Sequence, residues 1–383
     1  LKKTTLVIFY IDGYISYIYY LSQTKTKQMN RILTEPIGSI PRPAYLQQAM
    51  IAAGKGEIKQ NELEKLMDQA VQETIKEFEK TGSPVITDGE QSKPSFATYP
   101  VHGLNGLAQD GVVIPFADGH NRRLPRLVKG PFHYATFADT YLKKAKKYTS
   151  VPVKQAVISC SAISLLYPQE SIEGYSRDQF LNDLINEAEM DIRKCLKGGA
   201  HNVQIDFTEA RLALKLDPSK QLLSAFIHLN NQVLDRFSPD EKKRLGVHTC
   251  PGGDHDSTHS ADIPYSELLP MLFNLHATNF YMEFAGEKDK KAVLQTVREN
   301  LKRNQRVFLG VINVIDPRIE TPEEVKDLVL EAASVIPPDQ LGTCDDCGFS
   351  PFADDISTAR ELAFNKIRSR IKGTALAEKR LFG

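Results

Sequence analysis

The chain has 383 residues, 41% of them hydrophobic and 25% charged, which is enough apolar content to bury a large core and argues against disorder. Forty-eight Lys and Arg balance 48 Asp and Glu, which removes the electrostatic basis for a polyanion-binding surface and so for a nucleic-acid partner. Five cysteines, at 160, 195, 250, 344 and 347, are too few for a disulfide framework and read as reduced thiols of a cytoplasmic protein; no run of 18 apolar residues is present to span a membrane.

Residues 1–28, LKKTTLVIFYIDGYISYIYYLSQTKTKQ, set two lysines before apolar residues in the manner of a leader, but Asp12 and Gly13 interrupt the apolar region and no small-residue cleavage site follows. A poorly ordered N-terminal extension is expected there, followed by one domain over residues 29–383. From residue 31 short β-rich runs alternate with longer helical patterns, the signature of βα units on a parallel sheet. Strands are predicted over 32–39, 84–90, 153–159, 201–207, 245–250, 279–284, 306–313 and 341–347. Between them NELEKLMDQAVQETIKEFEK, FLNDLINEAEMDIRKCL, SELLPMLFNL, KKAVLQTVRENL and EEVKDLVLEAASVI carry apolar residues at helical spacing, and STARELAFNKIRSRIKG supplies a last helix. Eight such units predict an α/β fold, a closed (β/α)8 TIM barrel. Residues 91–150, with VHGLNGLAQDGVVIPFADGH among them, are too long for an ordinary connection and are expected to form an inserted lid or subdomain after strand two.

In such barrels the loops leaving the C-terminal ends of the strands converge on one mouth, where the active site is built. Ile37-Gly38-Ser39, Asp88-Gly89-Glu90, Asp206, His248-Thr249-Cys250, Glu283 and Cys347 all fall at those ends. Alternation along a strand puts His248 and Cys250 on one face, with Thr249 opposite. Catalytic zinc sites combine imidazole and thiolate in three protein ligands with an exchangeable fourth position, so Cys347, and Glu283 beside it, would complete a Zn2+ site from other strands. Alone, HTC also fits a buried thiol next to a core histidine. Cys344 and Cys347 form a CxxC, but no second CxxC exists for a zinc ribbon, and Cys344 reads as a packing residue, as do Cys160 and Cys195. His255 and His259, in GGDHDSTHS, read as members of a flexible loop that closes over the substrate rather than as ligands. The carboxylates of Glu90, Asp206 and Glu283 suit an amine-bearing substrate, or a solvated rim.

These residues, in this order, resemble the catalytic barrel of cobalamin-independent methionine synthase from about Thr34 to the C-terminus. The IGS of strand one, GE of strand two, QID of strand four, HxC of strand five, a strand-six glutamate and the final DCG recur in register, and the likeness is to the short, single-barrel members of the family. The resemblance implies zinc at His248, Cys250, Glu283 and Cys347, and homocysteine contacts at Ile37, Ser39, Glu90 and Asp206. The segment between HxC and Glu283 is longer than in the family; the family's folate-site tryptophan has no counterpart in a chain without Trp, and its strand-seven histidine aligns with Ile315, next to Asp316.

A free thiol, with a pKa of about 8.5, is mostly protonated at neutral pH, and zinc would favour the nucleophilic thiolate. The expected activity is zinc-dependent methyl transfer to a small thiol of the homocysteine type, giving methionine, with the methyl donor open. Zinc-dependent alkyl transfer to another thiol, as in epoxyalkane:coenzyme M transferase, and a metal-free barrel of the uroporphyrinogen decarboxylase type are the alternatives.

Overall fold

The computed structural model describes residues 31–383, together with a two-residue antiparallel pairing of Tyr10–Ile11 with Tyr14–Ile15. The extension expected over 1–28 otherwise lies outside the described residues. Seven strands form one parallel sheet: β1 (Leu33–Thr34), β2 (Gln155–Ile158), β3 (Val203–Asp206), β4 (Leu245–Thr249), β5 (Asn279–Met282), β6 (Arg306–Gly310) and β7 (Leu341–Cys344). Their spatial order is β1-β7-β6-β5-β4-β3-β2, and helices follow most of them, a TIM-barrel-like arrangement. Every residue of β2, β3, β4, β5 and β7 is buried, as expected of parallel strands covered on both faces.

The segment predicted as strand two does not join the ladder as a strand. Pro84 has no N–H to give and Gly89 turns the chain with φ +67°, which leaves a single parallel bridge from Ile86 to Val153. Its backbone still reaches both ends of the sheet: Lys154 N donates to Ile86 O at 2.9 Å, and Ile40 N donates to Gly89 O at 3.0 Å. Likewise β1 pairs over two residues of the predicted eight, because Pro36 cannot donate, although Glu35 N still bonds Thr343 O at 3.0 Å.

Local chemistry sets the helix ends. Helix Gln60–Thr81 stops at Gly82, whose φ of +76° is the left-handed conformation a glycine adopts without steric cost. Helices Arg177–Lys197 and Pro322–Ala333 start in capping boxes, Ser176 with Gln179 and Thr321 with Glu324. The final helix, Arg360–Phe382, packs on Pro322–Ala333 and on Gln60–Thr81. No helix among the described residues is long and apolar enough to cross a membrane.

The excursion after residue 90 is built of short antiparallel pairs, Leu107–Ala108 with Arg126–Leu127 and Val113–Pro115 with Asn121–Arg123, and then helix Asp139–Ala145. A second hairpin, Gly253–Asp254 with Ser257–Thr258, follows β4. This corrects the expectation of a flexible loop around His255. The hairpin is pinned from the excursion, where Ala117 N bonds Thr258 O at 2.9 Å and Arg122 Nη2 bonds Asp254 Oδ1 at 3.0 Å.

Candidate metal centre and thiol site

Three side chains from distant parts of the chain meet at the carboxyl end of the sheet. The ligand atoms of His248, Cys250 and Cys347 all lie within 4.8 Å of one another. His248 is the fourth residue of β4 and Cys250 the first beyond it, so the pleat points both the same way. Cys347 lies in the turn after β7, not on the strand as predicted. That turn is laid against the end of strand one, where Phe349 N bonds Ser39 O at 3.0 Å and Ser350 N bonds Ser39 Oγ at 3.2 Å. Gly348 is needed for this approach, since a Cβ there would stand 2.1 Å from Ser39 Oγ.

The three donors suit a soft divalent ion. His248 Nδ1 lies 3.1 Å from the Tyr281 carbonyl, which can only accept, so that nitrogen carries the proton and Nε2 is the lone-pair atom. Nε2 is buried without a hydrogen-bond partner, the state of a nitrogen that a metal would satisfy. The two sulfurs are 2.9 Å apart. With metal–sulfur bonds of about 2.3 Å at tetrahedral angles, coordinating sulfurs stand about 3.8 Å apart, so the pair need open by only about 1 Å to share an ion. Contact with Cys347, and then burial, pushes the Cys250 thiol well above its ordinary range. Cys347 moves the other way, because its contact with Cys250 and, against burial, the His248 imidazole stabilise its thiolate. Burial alone would lower His248; Cys347 and then Asp206 outweigh it and raise the imidazole.

The cluster opens into a cavity that is also lined by Ile37, Ser39, Glu90 and Asp206. Asp206 ends β3 in register with His248, and accepts from Gln204 Nε2 at 2.8 Å. Its carboxyl is pushed up to about 6, chiefly by burial, with His248 opposing and Glu90 adding to the rise. Glu90 sits at φ +56°, rare for a residue with a side chain, and its carboxylate bonds Lys93 Nζ at 2.8 Å. Lys93 is fully buried; burial alone would lower it, but Glu90 and Asp88 hold it above the usual lysine range.

Glu283 stands apart from the three-donor group. Its carboxylate is bound to Arg211 at 2.7 Å, and burial, then Asp346, pushes it well above the usual range against the pull of Arg211. Asp346, next to Cys347, accepts the amides of Phe284, Ala285 and Gly286 and so ties the Glu283 turn to the Cys347 turn.

Several lining residues escaped the sequence reading. Arg122, Phe96, Phe116 and Phe352 come from the excursion and the C-terminal turn, Lys93 acts on the cavity only through its bond to Glu90, and no spacing announces any of them. His259, read as a loop residue, lines the cavity; its ring is pushed down to about 4, first by burial and then by Lys215 and Arg211. Asp254, His255 and Asp355 also bring ligand atoms within 4.8 Å of one another, but Arg122 and His120 already occupy Asp254, so a cation has no place there. Cys344 is buried and contacts Phe308 O at 3.2 Å, and Cys160 and Cys195 are buried free thiols.

A TIM-barrel-like parallel sheet with an imidazole and two thiols at its carboxyl mouth defines an α/β scaffold with a candidate metal site at that mouth. The family "Cobalamin-independent synthase, Catalytic domain" matches residues 32–360, and the chain belongs to it. Methionine synthase of Sulfurisphaera tokodaii is 23% identical over 349 residues, covering 91% of this chain and 93% of the relative. That of Pyrococcus horikoshii is 21% identical over 352 residues, with 91% and 93% covered. In fold, the chain is similar to a B12-independent methionine synthase from Shewanella sp. solved with selenomethionine, with a TM-score of 0.72 at 19% identity over 91% of this chain and 98% of that one.

Proposed function

We propose that the protein transfers a methyl group to the sulfur of a homocysteine-type thiol, yielding a thioether of the methionine type, with zinc held by His248, Cys250 and Cys347 and with Glu283 as a fourth, exchangeable donor. The observation that carries this reading is the convergence of the three donors around a buried, unpartnered His248 Nε2. When bound, zinc supplies positive charge that favours the thiolate of the acceptor over the thiol.

The chain's own groups orient the acceptor. Asp206 and Glu90 lie on the same cavity as the sulfurs, and their carboxylates would hold the acceptor's ammonium. Lys93 neutralises part of that charge and fixes Glu90 in place. Ile37 and Ser39 form the floor beside Cys347. Phe96, Ile114, Phe116, Pro351 and Phe352 wall the remaining space and exclude water from the reacting sulfur. We read the sheet as closed through the 84–90 segment into a (β/α)8 barrel, residues 29–383 as a single domain, and residues 91–150 as its lid.

The apolar outer wall and the absence of Trp also favour a second reading, alkyl transfer from an apolar electrophile to another small thiol such as coenzyme M. Metal analysis tests what both share. Purified wild type is expected to hold about one zinc per chain, and Cys250→Ala and Cys347→Ala to lose the metal and the transfer activity together. Full metal content and activity in both variants would remove the assignment. Turnover of homocysteine against coenzyme M, with methylfolate, methylcobalamin and epoxides as donors, separates the two readings.

A further inference from the structure

The register of the sheet gives the Glu283 carboxylate two places to be. Thr249 pairs with Met282, so the next step along both strands sets Cys250 beside Glu283, on strands about 4.8 Å apart. Gly286 leaves the carboxylate room, because a Cβ at that position would lie 3.0 Å from Glu283 Oε1. In this structure, however, Glu283 Oε2 accepts from Arg211 Nη1 at 2.7 Å, and the same Nη1 donates to Glu287 Oε1 at 2.7 Å.

Arg211 is 1% exposed, and its other donors are taken by the carbonyls of Ile263 at 2.7 Å and Ala261 at 3.2 Å. Its guanidinium is shut away from water. A buried cation that loses its only counter-ion is strongly destabilised, so with one carboxylate partner Arg211 would hold Glu283 permanently. Two carboxylates on one guanidinium nitrogen remove that constraint.

We propose that Arg211 and Glu287 form a socket for Glu283: it receives the carboxylate when the thiol substrate displaces it, and it releases it toward Cys250 because Glu287 stays behind as the counter-ion. The inference rests on reading His248, Cys250 and Cys347 as a zinc site. Arg211 and Glu287 are then positioning residues; neither touches the reacting atoms.

Zinc affinity of the full chain, measured by competition with a chromophoric chelator, tests the socket without any assay of turnover. Glu287→Gln is expected to weaken zinc binding by about 10- to 100-fold, to the level of Glu283→Gln, and the double variant to be no weaker than Glu283→Gln alone. Cobalt-substituted Glu287→Gln should show the same change in its visible bands as cobalt-substituted Glu283→Gln, a change that a merely structural role would not produce. Glu287→Asp, which keeps a carboxylate, should recover affinity. Wild-type affinity in Glu287→Gln, losses that multiply in the double variant, or equal loss in the Gln and Asp variants would each overturn the socket. Wild-type zinc binding by Cys250→Ala and Cys347→Ala would instead sink the metal-site reading beneath it.

Discussion

His248 is ready to act as a nitrogen donor because the Tyr281 carbonyl on the neighbouring strand holds its Nδ1. The side chain of Tyr281 takes part in a second set of buried charges inside the sheet. Its hydroxyl donates to Glu35 Oε2 at 2.6 Å, and its ring lies 3.9 Å beneath Lys154 Nζ. Lys154 is buried, its ammonium has no hydrogen-bond partner, and Glu35 is 3.8 Å away. Burial therefore pulls it down to about 8, with Glu35 opposing. A base whose folded pKa is depressed binds fewer protons folded than unfolded between the two values. Unfolding free energy should accordingly rise with pH from about 8 to about 10.5, by at most about 3 kcal/mol from this group. Denaturant midpoints at pH 7.5 and 9.5 should differ more in wild type than in Lys154→Met; an equal difference in both would show that Lys154 does not carry the effect.

At the scale of single elements, the turn over Asp88-Gly89-Glu90 joins the fold to the site. Gly89 and Glu90 are both left-handed, at φ +67° and +56°, and a Cβ on Gly89 would lie 2.5 Å from Thr74 Cγ2 on helix Gln60–Thr81. Gly89→Ala should cost about 1–3 kcal/mol from backbone strain alone, and the clash should displace Glu90 from Lys93. Thermal denaturation and the KM for the thiol acceptor should both move; a wild-type KM would separate the turn from acceptor binding. The helix ends rest on weaker chemistry. Thr321 Oγ1 accepts from Glu324 N at 3.2 Å, so Thr321→Ala should cost about 1 kcal/mol. No residue of that helix lines the cavity, so activity per folded molecule should be unchanged.

Across the whole molecule, Arg122 fastens three separate segments over the cavity mouth. It reaches Asp254 on the hairpin after β4 and Asp354 near the C-terminal turn, at 3.0 and 2.8 Å, from the hairpin of the excursion. Its guanidinium stacks 4.1 Å over Phe352, which lines the cavity. Arg122→Ala strands the buried Asp254 carboxylate with two histidines as its remaining side-chain partners, His120 at 3.0 Å and His255 at 3.9 Å. Faster amide exchange over 113–123 and 253–258 is the expected result, with a raised KM for the methyl donor and a kcat that changes less. Unaltered exchange in those two hairpins would mean that the apolar contacts of Phe116 hold the mouth by themselves.

Periodicity and strand-end polarity made much of this organisation legible. The alternation of β-rich and helical runs marked the parallel sheet, and the pleat alone put His248 and Cys250 on one face. Pro36, Pro84 and Gly89 carried the information that strands one and two would pair poorly, but their weight depends on which neighbours need an N–H, and that is set by the sheet. Cys347 could be named from its place near the last strand, whereas its approach to Cys250 depends on the turn that Ser39 and Gly348 pack together, more than 300 residues apart in the chain. Lys93, Arg122 and Arg211 were illegible as functional groups because a charged side chain reads as solvated until its burial and its partners are known. Local patterning thus determined which residues could supply donors and where along the strands they stood; only tertiary packing decided which carboxylates share which cations, because pairing energies depend on burial and on distances that sequence separation does not encode.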